Sequence, residues 1–257
     1  MRLARLASRV SSIQHTCLSR RRRCVAMDAE AVGAKAVVTV HKLALAHTEE
    51  AATVLRTAFD NEYSWSRPLN MPQERFEYWM RNMYIPERAA ATPSSLVALA
   101  EDSTVAGVCT LEDFFEPESE EKEADPPAGM RCVEGILGAC KELFYAQAAK
   151  RGLHVEKGRT GIIAYVAFLA VNSNFRRQRV GHRLVQQAVQ QLTVDGPYGT
   201  AVAFCTSFKS RALFQQIGFQ YWGGVSYQTF SMEDGSIPFA TLPKDECAVL
   251  VWTGKSG

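Results

Sequence analysis

The sequence lacks any apolar run long enough to form a membrane-spanning helix. Its longest, Gly161 to Val171, covers eleven residues, whereas a spanning helix needs roughly 20. None of its seven cysteines form a C-x-x-C pair, so zinc-site spacing is absent, and the odd number does not suit a disulfide framework. The cysteines fit a reduced compartment. There is also no strong excess of one charge, the formal net charge being +2. What is present is ordinary for a globular chain: 47% hydrophobic and 22% charged residues over 257 positions, a composition that excludes wholesale disorder.

Acidic residues are missing altogether from the first 27 positions, which hold seven arginines (Arg2, Arg5, Arg9 and Arg20 to Arg23). The first acid is Asp28. Beyond residue 27 there remain 22 basic residues against 27 acidic ones, a net of −5. A mildly acidic body argues against general nucleic-acid binding, which needs a basic face. The leader, residues 1–34, has the composition of an organelle transit peptide. Leu3, Leu6, Val10 and Ile13 recur at helical spacing opposite its arginines. Mitochondrial import is the expected destination, with plastid import, a nuclear signal in Arg20 to Arg23, or a cytoplasmic protein with a basic tail as alternatives.

From residue 35 to 257 strand-like and helix-like patterns alternate without an internal repeat, as expected of one α/β domain with a mixed sheet. Ala36 to Leu45 reads as a strand. Thr48 reads as the N-cap of a helix that runs to about Phe59, with Glu49 and Glu50 in its first turn. A second helix starts after Pro72 and turns Phe76, Trp79 and Met83 inward. Ser95 to Ala100 and Val105 to Leu111 form a hairpin around Glu101-Asp102-Ser103. Residues 112–129 break the pattern, being mostly acidic from Glu116 to Asp125 with Pro126-Pro127 following, which reads as a mobile surface loop or a lid over a cationic substrate. Arg131 to Arg151 reads as a long helix.

The second half carries the chemistry. Gly161 to Val171 suits a strand covered on both faces. After the polar turn Asn172 to Asn174 comes Phe175-Arg176-Arg177-Gln178-Arg179-Val180-Gly181, then a helix with Leu184, Val185, Ala188 and Leu192 on one face. Ala201 to Cys205 reads as a strand and Thr206 to Ile217 as a helix ended by Gly218. Phe219 to Phe230 and Cys247 to Trp252 read as closing strands. Amide groups at a helix N-terminus, aided by the helix dipole, form a ready phosphate or pyrophosphate site. Arg176, Arg177 and Arg179 add cationic donors, and Gly181 admits a ligand close to the backbone. His182 is either a further phosphate donor or a surface histidine. A basic surface turn would look the same taken alone.

The turn is accompanied by Leu169-Ala170-Val171 before it and by Leu213-Phe214-Gln215-Gln216-Ile217-Gly218-Phe219 after it. Together these motifs resemble the GNAT superfamily of N-acetyltransferases, whose signature is an L-x-V strand end, [RQ]-x-x-G-x-[GA] opening a helix, and a later L-[YF]-x-x-x-G-F. Arg179 stands where the family has its first glycine. Pro68-Leu69-Asn70 and Cys205-Thr206-Ser207-Phe208-Lys209-Ser210 extend the resemblance to arylalkylamine N-acetyltransferases of the insect and nematode type. The resemblance implies a GNAT-like, mostly antiparallel mixed sheet flanked by helices. It implies acetyl-CoA as co-substrate, bound at Leu169 to Val171, Arg176 to His182 and Phe214. It also implies direct acetyl transfer to a small primary amine of arylalkylamine or polyamine type, with no metal, nucleic-acid or membrane partner.

Several acid–base positions of the family are altered: Arg67 replaces a glutamate before the P-L pair, Ala167 one on the central strand, and Phe214 a tyrosine acid. Glu62 and Asp60 are the substitutes within reach in sequence, acting through water or else lying as solvated residues at a helix end. Thr206 and Ser210 are four apart and share a face if both are helical. The resemblance makes them a proton relay beside the thioester, whereas as local structure they are a cap and a back-bond. Phe59, Tyr63 and Trp65 either line an amine pocket or belong to the core. Alternatives to an amine acetyltransferase are a protein or peptide N-acetyltransferase and an inactive acetyl-CoA-binding protein.

Overall fold

A computed structural model describes residues 37–62, 69, 72–90, 95–115, 129–242 and 244–254. The leader, Tyr63, Trp65, Arg67, Pro68 and Asn70 lie outside the described residues, as do the side chains of Asp60, Glu62, Trp79 and Met83.

Seven strands form one sheet in the order β1-β2-β3-β4-β5-β7-β6. Strand β1 (Val38–Lys42) is followed by α1 (Thr48–Glu62), α2 (Gln73–Trp79) and α3 (Ile85–Ala90). The hairpin β2 (Leu96–Ala100) and β3 (Val105–Asp113) leads into α4 (Met130–Lys150), central β4 (Ile163–Val171), α5 (Val180–Val189), β5 (Thr200–Cys205), α6 (Phe208–Ile217), β6 (Gln220–Ser226) and β7 (Glu246–Thr253). Only β4 and β5 run parallel; every other neighbouring pair is antiparallel. The long crossover through α5 makes that parallel pairing possible.

The alternation of side chains along the strands splits the core between two faces. Val180, Leu184, Val185 and Ala188 of α5 and Phe214 of α6 pack on Ala164, Val166, Ala201 and Ala203. On the opposite face, α1 and α3 cover the β2–β3 half of the sheet through Leu55, Ile85, Val97 and Val108. The β5–β7 half is covered by α4 through Ile136, Phe144, Val202 and Val249.

Local chemistry shifts several expected boundaries. The first strand stops at Lys42, and Leu45–His47 form a short 3-10 turn. Thr48 is therefore the first residue of α1 and closes the 3-10 turn rather than serving as an N-cap: its hydroxyl donates to the Leu45 carbonyl at 2.8 Å. Glu112 and Asp113 belong to β3 rather than to an acidic loop. The hairpin turn is as expected, Asp102 Oδ1 accepting the Thr104 N–H at 3.0 Å. Ser207, not Thr206, is the N-cap of α6, its hydroxyl accepting the Ser210 N–H at 3.2 Å. The strand expected from Phe219 to Phe230 ends at Ser226.

Candidate active site

The site begins with a defect in the sheet. Thr110 pairs with Phe168 and Leu111 with Val166, so Ala167 is one residue too many and forms a bulge. The inserted residue reverses the alternation. Ala164 and Val166 face α5 before it, and Leu169 and Val171 face α5 after it. Parallel pairing of β4 with β5 ends at the same level, at Val166 opposite Ala203. From there β4 continues paired to β3 alone, through Leu169–Cys109, Ala170–Val108 and Val171–Gly107. Strand β5 continues paired to β7 through Phe204–Val249 and Cys205–Ala248. The two central strands thus part, and the backbone of Ala167 to Val171 borders a slot in the sheet.

Beyond Val171 the chain turns tightly. The Asn172 side chain accepts the Asn174 N–H at 3.1 Å, and its own N–H is held by the Ala106 carbonyl at 3.0 Å. Arg177 and Arg179 both adopt left-handed backbones, with φ of 59° and 62°. That conformation is one only glycine adopts without cost, which explains why a glycine is expected at 179. The first bond of α5 runs from the Arg183 N–H to the Arg179 carbonyl at 3.0 Å. The N–H groups of Val180, Gly181 and His182 precede that ladder and have no acceptor within the helix. No acidic residue occurs between Asn172 and Val194. Exposed Arg177 and Arg179, half-buried Arg176 and the His182 ring stand around the helix start, with His182 Nε2 3.4 Å from the Arg179 guanidinium.

Gly181 has a different task from the one its place in the motif suggests. A Cβ there would meet Leu213 Cδ1 at 3.2 Å and Val171 Cγ2 at 3.4 Å. The glycine lets α5 sit close against β4 and α6, and the space beside it belongs to the protein's own side chains. Gly107 does the same from β3, where a Cβ would meet the Ala170 carbonyl oxygen at 2.9 Å. Phe214 is buried, its ring 4.9 Å from that of Phe219 in an edge-to-face contact; it joins the core.

At the end of β5, Thr206 and Ser210 do not share a helical face, because α6 starts at Phe208. The Thr206 carbonyl accepts from the Tyr227 hydroxyl at 2.8 Å. Ser210 Oγ donates to the Ser207 carbonyl at 2.9 Å and lies 3.0 Å from Ser207 Oγ. Burial pushes the neighbouring Cys205 thiol up to about 12, against the opposing influence of Ser210 and the Arg211 charge. Ser207 and Cys205 therefore belong to this end of the slot. The motif quoted them, and only the helix boundary shows their contacts.

Sequence reasoning missed Glu112. It pairs across the sheet with Tyr165 on the face away from α5 and accepts a hydrogen bond from the Tyr84 hydroxyl. Tyr84 also lies 3.0 Å from Thr110 Oγ1, which accepts the Phe168 N–H at 3.1 Å. The network is thus tied to the backbone next to the bulge. Burial and the Glu112 charge hold the Tyr84 and Tyr165 phenols well above their ordinary range. Phe59 joins this face, its ring 5.5 Å from that of Phe168. The signal was available: Val108, Thr110 and Glu112 are spaced by two, and the strand pattern runs on into the charged residues.

Residues 55–219 match the acetyltransferase (GNAT) family. No curated protein sequence matches the chain. Among solved structures the fold is similar to arylalkylamine N-acetyltransferase 2 from Aedes aegypti, with 16% identity, a TM-score of 0.61, and coverage of 84% of this chain and 98% of that one. It is also similar to Drosophila melanogaster polyamine N-acetyltransferase, an enzyme that forms N-acetylagmatine, at 21% identity and TM-score 0.62, covering 84% and 100%. A third likeness is to the C-terminal condensation domain of Ebony bound to beta-alanyl-dopamine, at 14% identity and TM-score 0.64, covering 85% and 100%.

Proposed function

Because the chain belongs to the acetyltransferase (GNAT) family and is an N-acetyltransferase, we propose that it transfers the acetyl group of acetyl-CoA directly to a small primary amine. The observation that carries this reading is the parting of β4 from β5 after Val166 and Ala203, beside a helix start rich in amide and guanidinium donors. The residues present fit the co-substrate. Amides of Val180 to His182 and the guanidiniums of Arg176, Arg177 and Arg179 suit a pyrophosphate. Leu169, Val171 and Leu213, all half-buried, offer apolar walls to the pantetheine arm.

Acetyl-CoA supplies an activated acyl carbon as a thioester. The protein's share is to hold the reactants together and to donate hydrogen bonds where charge develops. Backbone N–H groups bordering the slot at Leu169 to Val171 serve as oxyanion donors, and confinement in one cleft lowers the entropic barrier. Ser210, 3.0 Å from the Ser207 hydroxyl, carries protons at the β5 end, and Thr206 is the second hydroxyl assigned there from the sequence. Glu62 is the further acid assigned to proton removal from the sequence.

The amine class is supported by the similar structures, which bear the names of arylalkylamine and polyamine acetyltransferases. The seven arginines and absence of acid in residues 1–27 support mitochondrial import, tested by fusing residues 1–34 to a fluorescent reporter. Acetyl-CoA turnover across aryl amines, polyamines and short peptides tests the activity. Acetylated small amines are expected. Faster turnover of peptides would make it a peptide acetyltransferase, and acetyl-CoA binding with no product would make it a binding protein.

A further inference from the structure

Two fully buried polar side chains, Ser95 and Thr110, meet the sheet backbone at the level of the bulge. Each hydroxyl accepts a main-chain N–H: Ser95 Oγ that of Leu111 at 3.0 Å, and Thr110 Oγ1 that of Phe168 at 3.1 Å. Leu111 and Phe168 lie on either side of the register shift between β3 and β4. A bulge disturbs the backbone ladder, and buried N–H groups still need acceptors; here side chains supply them. Thr110 is itself held. Tyr84 donates its single hydroxyl proton to Glu112, so at 3.0 Å from Thr110 Oγ1 its oxygen accepts and the threonine donates. The hydrogen bonds run one way, from the Phe168 N–H through Thr110 and Tyr84 to a carboxylate, and each polarises the next. An irregular turn delivers Tyr84 to this place. Met80–Tyr84 are π-helical, and Pro86 just beyond has no N–H to continue an α-helical ladder.

We infer that Thr110, fixed by Tyr84, is the positioning residue for the oxyanion donors of β4. The inference rests on the acetyltransferase reading above and adds to it the side chain that aims those donors. Along an extended strand, successive N–H groups point to opposite edges. The Phe168 N–H goes to Thr110 on β3, and the Asn172 N–H goes to the Ala106 carbonyl of the same strand at 3.0 Å. Leu169 and Val171, offset by one, therefore direct theirs to the other edge, which β5 has left at that level. A donor lowers the barrier only if its direction is fixed before charge develops. The peptide between Ala167 and Phe168 lies within the bulge, where rotation would swing the Leu169 N–H out of line. Thr110 removes that freedom by holding the Phe168 N–H. It lies across β4 from the slot and acts through the Phe168 peptide, without touching a reactant.

The test uses the full 257-residue chain. Turnover is measured with acetyl-CoA and phenethylamine, and infrared difference spectra with the ketone analogue acetonyl-CoA, isotope-labelled at its carbonyl carbon. Hydrogen bonds to a carbonyl lower its stretching frequency, so the band reports how well the donors are aimed. Thr110→Val keeps the side-chain shape and removes the hydroxyl. Its bound carbonyl band is expected at higher frequency than in wild type. Its kcat is expected to fall about 10-fold or more, with the KM for acetyl-CoA within about two-fold. Thr110→Ser is expected to restore both. Tyr84→Phe is expected to move the band less and in the same direction, and it carries the test if Thr110→Val does not fold. An unchanged band in the folded variant overturns the inference, as does a loss of kcat that Thr110→Ser fails to restore. If wild type and Thr110→Val acetylate phenethylamine with equal kcat, the positioning role fails and the acetyltransferase reading stands. If wild type acetylates no amine, yet the band moves in Thr110→Val and returns in Thr110→Ser, the positioning role stands and that reading fails.

Discussion

Arg179 holds a left-handed backbone at the start of α5, with φ 62° and ψ 21°, and its guanidinium lies 3.4 Å from Nε2 of His182. A long side chain thus occupies a conformation that favours glycine, in a turn where Arg177 does the same. Strain of this kind, about 1 kcal/mol per residue, collects where the chain must aim its donors at a ligand.

Replacing Arg179 with glycine separates the two contributions. Arg179→Gly is expected to raise stability by at most about 0.5 kcal/mol, the relieved strain being largely offset by the greater freedom of the unfolded chain. The same substitution is expected to weaken acetyl-CoA binding about 3–10-fold, as one charge-assisted contact is lost. Thermal denaturation reads the first effect and calorimetry the second.

Gly181 is a packing residue, and its substitutions should behave as such. Gly181→Ala is expected to destabilise by about 1 kcal/mol, because the added methyl crowds Leu213 and Val171 by more than its helix propensity returns. Gly181→Glu would bury a carboxylate among Leu169, Val171 and Leu213 and is expected to unfold the protein. Loss of cofactor binding in that variant would therefore report folding. Urea denaturation of both variants checks the order.

The start of α6 distinguishes a cap from a relay. Ser207→Ala removes the hydroxyl that accepts the Ser210 N–H and is expected to cost about 1 kcal/mol. Thr206→Ala, outside the helix, is expected to cost less than about 0.5 kcal/mol. Ser210→Ala is expected to lower kcat at least about 10-fold while leaving acetyl-CoA affinity nearly unchanged. Equal kcat values would remove Ser210 from proton transfer.

Alkaline pH should unfold the protein early. Burial pushes the Cys109 and Cys205 thiols from an ordinary 9.0 up to about 12. Between these values the unfolded chain has lost both protons and the folded chain keeps them, so the unfolded state binds fewer protons. Stability therefore falls as pH rises from 9 towards 12, by about 1.4 kcal/mol per pH unit for each thiol. Urea midpoints at pH 9, 10 and 11 are expected to decline, and to decline less steeply in Cys205→Ala. Below pH 9 these thiols contribute no slope.

Which segments form strands and helices was legible in the sequence, because side-chain period and turn chemistry are local. Eleven apolar residues ending at Val171, Asp102 in the hairpin and Gly218 after α6 each act over a few positions. That Arg176 to His182 open a helix was legible for the same reason, although the turn taken alone reads equally as a basic surface turn. Tertiary structure alone decided where β4 leaves β5. A bulge at Ala167 arises from the register of β4 against β3, and no property of alanine announces it. Sheet pairing likewise moved Glu112 out of an apparent acidic loop into a strand facing Tyr165, and helix packing filled the space beside Gly181 with Leu213 and Val171. Those outcomes depend on which distant backbone or side chain arrives alongside, and that information is spread over the whole fold rather than held at any one position.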